Sequence, residues 1–194
     1  ILFFPALVTF LIWNLLSTWW IAHVSLVGML LIAALNAILM ASVWWSKHLV
    51  ERKLGHSSST FSLIVFWLAF EFLHHNWTIP WPWLSLGNSF ANSVEIVQWY
   101  EFTGILGGSL WILLSNFLVY STIKNFLQRS SFLKSIKFAG LALLVVILPI
   151  LGSLYLYSTY SEKGSLLEVV ILQPNIDPNK EKFSGMSADD QINR

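Results

Sequence analysis

The chain has 194 residues, of which 56% are hydrophobic, 15% aromatic and only 11% charged, with a formal net charge of +1 at pH 7. Soluble domains carry roughly 25% charged residues, so the composition excludes an ordinary cytosolic domain and points to an integral membrane protein. The basic residues form no patch that would suit nucleic acid, and the lack of cysteine excludes disulfides, thiolate metal sites and a cysteine nucleophile among these residues.

A membrane-crossing helix needs ~20 mostly apolar residues at a rise of 1.5 Å each. Five stretches come near that length, at about 1–21, 24–45, 61–77, 99–120 and 138–157. The first two are joined so tightly around Ala22 and His23 that they must form a hairpin. After the fifth, Glu168-Val-Val-Ile-Leu-Gln-Pro-Asn175 reads as the first β-strand of another domain, with irregular chain from Pro174 onward. The expected fold is therefore mainly α, a polytopic transmembrane helix bundle of about five spans over residues 1–160. The start of a truncated α/β domain follows over 161–194. No secretory signal is visible, and a chain running from Ile1 to Arg194 in this way reads as cut at both ends.

Basic residues set the orientation. Segments 46–60 and 121–137 hold Lys47, Arg52, Lys53, Lys124, Arg129, Lys134 and Lys137, seven of the eleven Lys and Arg. The connection 78–98 has none, and its only charge is Glu95. The two basic segments are expected in the cytoplasm and the connection on the opposite side. Five spans would then put the region after Tyr160 outside as well, in the periplasm of a two-membrane bacterium. Trp19, Trp20, Trp44, Trp45, Trp77, Trp81, Trp83 and Trp99 fall near span ends, where an aromatic belt accounts for most of them.

The connection is not a simple loop. Pro80 and Pro82 stop a helix, because each lacks an amide donor and restricts the residue before it. Yet the run from Trp77 to Phe90 is uncharged and aromatic, and irregular backbone at that depth is tolerated only against protein or a wet cavity. It reads either as a groove wall for lipid or as an interfacial turn anchoring two helices. Glu71 lies near the end of the third span, and an intramembrane carboxylate is a functional candidate by default. His74 and His75 follow at helical spacing and could partner it. A metal would need further ligands that the sequence does not supply, so neither metal nor cofactor is expected. Asn14, His23 and Asn36 read as interhelix hydrogen-bonding residues. Gly104-Ile-Leu-Gly-Gly-Ser109 offers small-xxx-small spacing for close helix approach.

Taken in order, these motifs resemble the apolipoprotein N-acyltransferase family. Glu71-Phe-Leu is followed by Pro82-Trp-Leu-Ser-Leu-Gly87, then by Thr103-Gly-Ile-Leu-Gly-Gly-Ser109, then by Val169-Val-Ile-Leu-Gln-Pro-Asn-Ile176. The last is similar to the first strand of that family's nitrilase-like domain. The resemblance implies an enzyme that moves a fatty acyl group from phospholipid to the N-terminal diacylglyceryl-cysteine of an apolipoprotein. In that scheme a cysteine of the nitrilase-like domain forms a thioester, with a glutamate as base and acid and a lysine steadying the oxyanion. None of that triad is assigned here, so the chain alone is expected to be inactive. The resemblance implies a phospholipid donor, an apolipoprotein acceptor and a bacterial inner-membrane location. Candidate lipid- or substrate-lining residues are Glu71, Pro82, Trp83, Gly87 and Phe183. Lys182-Phe183 stands roughly where the family can show a lysine–tryptophan pair, with Phe in place of Trp. The rival reading is a non-enzymatic membrane anchor or a transporter fragment, although no internal repeat of the kind transporters show is visible.

Overall fold

A computed structural model describes residues 3–78, 80–128, 132–162, 164, 168–171, 173, 187 and 189, the side chains of His56 and Ser57 excepted. The chain divides into two units, Ile1–Tyr160 and Ser161–Arg194. The first unit is helical: α1 (Phe3–Thr18), α2 (Leu26–Leu54), α3 (His56–Asn76), α4 (Tyr100–Leu127) and α5 (Phe132–Thr159). Short 3-10 turns fill the connections at Trp19–His23, Pro82–Leu84, Leu86–Phe90 and Val94–Ile96.

Each helix packs on the one before it in the chain, most extensively α1 on α2 and α4 on α5. The α1–α2 hairpin turns through Trp19–His23, and Ser25 caps α2 by accepting from the amide of Gly28 at 3.0 Å. Asn14 and Asn36 then tie the two helices together. Asn36 Nδ2 donates to Asn14 Oδ1 at 2.6 Å, and both residues are buried. His23 makes no such bond; its ring meets Trp19 edge-on at 5.6 Å.

The basic segment 46–60 is not a loop. α2 runs on to Leu54 and α3 starts at His56, with Gly55 alone between them at φ 84°. Only glycine occupies that region without a Cβ penalty. Arg52 and Lys53 thus fall in the last turn of α2, where the helix dipole favours positive charge. Lys47 bonds Glu51 one turn on at 3.1 Å.

Among the described residues, four helical segments are long and apolar enough to cross a membrane: Phe3–His23, Leu26–Leu54, Tyr100–Leu127 and Phe132–Thr159. The expectation of about five is not confirmed on this measure, which gives four. α3 has the length, at 21 residues, but serines at its start and Glu71, His74, His75 and Asn76 at its end dilute its apolar character.

The α4–α5 pair carries a built-in repair. Pro149 lies inside α5 and has no amide to give the carbonyl four residues back. That carbonyl belongs to Val145, and Trp111 Nε1 of α4 donates to it at 2.7 Å. A backbone acceptor left open at bilayer depth is therefore closed from the neighbouring helix.

In the second unit the described residues 168–171 and 173 carry no strand. The expected β-strand at 168–175 is thus absent among the described residues, which offer no second strand to complete a ladder. Phe183 lies outside the described residues.

Candidate functional site

The segment after α3 folds back onto the helix that precedes it. The amide of Trp81 reaches the carbonyl of His74 at 3.3 Å, His75 Nε2 and Ser85 Oγ meet at 2.6 Å, and the amide of Leu86 donates to Glu71 Oε1 at 2.9 Å. Three points along the last turn and a half of α3 therefore hold residues 81–86. Pro82 opens a 3-10 turn, and its carbonyl accepts from the amide of Ser85 at 3.2 Å and from Asn88 Nδ2 at 2.8 Å. The proline that stops the helix thus becomes the acceptor that organises the two turns after it.

Glu71 is 2% exposed. Its Oε1 accepts a second bond, from Trp67 Nε1 at 2.9 Å. The carboxylate is partnered by an indole and a backbone amide, and the histidine expected beside it does something else. His74 is sandwiched by Phe70 and Trp77, with ring centroids 5.0 and 4.8 Å away, while His75 turns to Ser85. Among the described residues, no three His, Asp or Glu side chains gather as a metal site would require.

Gly87 passes the segment on to α4. Its amide donates to Ser109 Oγ at 2.9 Å and its carbonyl accepts from the Tyr100 hydroxyl at 3.1 Å. A Cβ at Gly87 would run into the backbone carbonyl oxygen of Ile105, so only glycine allows this approach. The close contact expected at Gly104 and Gly108 takes a different form. Gly104 faces open space and has φ 64°, ψ −171°, which breaks α4 after its first turn. The break lets Tyr100 lie over Gly108, where a Cβ would strike the tyrosine hydroxyl. The glycines serve a kink and an aromatic ring, and no second helix is drawn in at Gly104.

Trp83 stays outside this network. It is 56% exposed and meets Trp81 edge-on at 4.7 Å and Trp20 of the α1–α2 turn at 6.5 Å. The structure thus brings Glu71, Pro82 and Gly87 into one hydrogen-bonded unit and leaves Trp83 at its rim. Tyr100 and Ser109 complete the unit. Sequence reasoning gave neither a role at the site, because a hydroxyl beside a glycine cluster carries no sign of what will approach it. Ser109 Oγ is taken by the Gly87 amide and Ser85 Oγ by His75 Nε2, so both hydroxyls serve to hold the segment in place and the arrangement has the chemistry of a positioning surface.

Residues 2–118, from α1 into α4, match the family model described as the apolipoprotein N-acyltransferase N-terminal domain. The apolipoprotein N-acyltransferase of Chlorobaculum tepidum is 25% identical over 186 residues, covering 95% of this chain and 34% of that protein. The apolipoprotein N-acyltransferase of Geobacter metallireducens is 29% identical over 118 residues, 61% of this chain and 22% of that protein. The chain thus spans about a third or less of the curated relatives it matches. No solved structure matches. The matched region takes in Glu71, the Pro82–Gly87 turn and the broken start of α4, and since it covers more than half of the chain, the chain belongs to the apolipoprotein N-acyltransferase family, with residues 2–118 matching that family's N-terminal domain.

Proposed function

We propose that the chain is the membrane part of an enzyme that transfers a fatty acyl group from phospholipid to the N-terminal diacylglyceryl-cysteine of apolipoproteins, through a cysteine thioester on a nitrilase-like domain. Family membership supports the reaction class. The single structural observation that carries the reading is the clamp on residues 81–87 by Glu71, Ser109 and Tyr100. It fixes an uncharged, tryptophan-bearing segment at the end of the bundle with Trp83 facing outward, a surface suited to an acyl chain or a lipid headgroup. With no cysteine in the chain, the nucleophile is not among these residues, and the chain by itself is inactive.

In this reading the protein lies in a bacterial inner membrane. α3 crosses as a fifth helix: 21 residues at 1.5 Å each give ~31 Å, enough for the hydrocarbon core. The ends of α2 and α4, with their lysines and arginines, face the cytoplasm, and the segment 78–98 and the region after Tyr160 face the periplasm.

The test is Trp83→Ala in the full-length enzyme, assayed for acyl transfer from phospholipid to a diacylglyceryl-cysteine peptide. Loss of an aromatic contact worth about 0.5–1.5 kcal/mol predicts a two- to tenfold fall in turnover, on the order of what such an energy commands, at unchanged protein level. Normal turnover would sink the lining role of this segment.

A further inference from the structure

Four residues that line one small cavity each carry a buried polar atom with no hydrogen-bond partner among the described residues. They are Asn36 Oδ1 of α2, Glu71 Oε2 and His74 Nε2 of α3, and Trp81 Nε1 of the connecting segment. The cavity measures about 10 Å³, roughly the space one water needs. Lone buried polar atoms are costly, and four around one space are far from a random scatter.

Three of the four donor and acceptor identities follow from the neighbours and from the groups themselves. Asn14 Nδ2 donates to the Phe10 carbonyl at 2.8 Å, so Asn14 must present its oxygen to Asn36, and Asn36 must answer with Nδ2, as it does at 2.6 Å. That leaves Asn36 Oδ1 as an acceptor. Glu71 Oε1 is taken by Trp67 and Leu86, leaving Oε2 as a second acceptor. Trp81 Nε1 can only donate. His74 Nε2 donates or accepts according to its tautomer, and in the Nε2–H form it supplies a second donor. Two acceptors and two donors around a one-water space match the capacity of a water molecule, which gives two hydrogens and accepts at two lone pairs. A metal cation is refused by the indole N–H, which has no lone pair to offer.

We infer that a single ordered water is bound between α2, α3 and the Trp81 segment, bonded to Asn36, Glu71, His74 and Trp81. It completes a polar path that begins at the Phe10 carbonyl in α1, runs through Asn14 and Asn36, crosses the water to Glu71, and ends at the Leu86 amide. The segment proposed to line the lipid site is thereby tied to the first hairpin as well as to α3 and α4.

A structure of the full-length protein at a resolution that shows waters tests this. One peak should sit at roughly 2.7–3.2 Å from all four atoms. A direct bond between Glu71 Oε2 and His74 Nε2 with no peak, or a peak contacting acceptors only, would overturn it. A second readout uses variants that keep an aromatic ring. His74→Phe and Trp81→Phe each remove one donor to the same water, so the drop in Tm of the double variant should be smaller than the sum of the two single drops. Drops that simply add would overturn the shared water.

Discussion

At the scale of single residues, Glu71 and Gly87 show why a short motif can be rigidly specified. The Glu71 carboxylate accepts from Trp67 and from the Leu86 amide. Glu71→Gln keeps an oxygen for both donors, and the full-length protein in detergent should lose only about 1 kcal/mol on thermal unfolding. Glu71→Leu strands two buried donors and should cost about 2–5 kcal/mol by the same measurement. Equal losses for the two variants would mean that the carboxylate's charge, and not its acceptor geometry, carries the contact. Gly87→Ala pushes a methyl group into the Ile105 carbonyl, and overpacking against a fixed backbone atom should cost about 1–3 kcal/mol. Glu71 was legible as a candidate because an intramembrane acid stands out, and Gly87 through the family resemblance of the Pro82–Gly87 motif. The sequence did not reveal Glu71's partners, because a backbone amide and an indole fifteen and four residues away leave no mark in a pattern of charges.

At the scale of elements, Pro149 and the positive-φ Gly104 act in opposite ways. Pro149 inside α5 leaves the Val145 carbonyl to Trp111. Trp111→Phe should therefore lower stability by about 1–3 kcal/mol. The same change made together with Pro149→Ala should cost much less, since the restored amide at 149 takes the carbonyl back. Measuring the four Tm values of that cycle would settle the pairing, and additive effects would contradict it. Gly104 faces open space at φ 64°, ψ −171°, so Gly104→Ala tests backbone conformation with no clash and should cost about 1–3 kcal/mol. Gly140→Ala, also in open space but inside regular α5, should be neutral or slightly stabilising. The long helices and the α1–α2 hairpin were readable from apolar length and the short turn. The continuous α2–α3 corner at Gly55 was not, because a run of basic and serine residues looks like a loop when helix ends carry the same residues for reasons of dipole and solvation.

At the scale of the molecule, the helices form two groups, α1–α3 and α4–α5. α3 touches α4 only modestly, and the turn Leu86–Phe90 contacts α4 more than α3 does. The connecting segment is therefore the mortar between the groups as well as the proposed lipid-facing wall, and disturbing it should affect assembly and activity together. The proposed topology predicts that alkaline phosphatase fused at Asn92 or after Tyr160 is active, while fusions at Arg52 or Gln128 are inactive. An inactive Asn92 fusion would mean that α3 does not cross. The count of spans was the weakest part of the sequence reading, because a helix with a buried acid and two histidines is polar by composition even where, as for Glu71, an indole and a backbone amide inside the fold take up the charge-bearing oxygen.

The buried residues of α2 include Ala33, Ala37 and Ala41, spaced one helical turn apart. Such a smooth track has no preferred stopping place: sliding the helix by four residues lays alanine where alanine was. The Asn14–Asn36 bond breaks that translational degeneracy, since a slip of one turn would leave two amides stranded among apolar side chains. A helix pair that the alanines alone would let creep along its axis is held in register by the amide pair, with Met40 seated beside Asn14 as a second tooth.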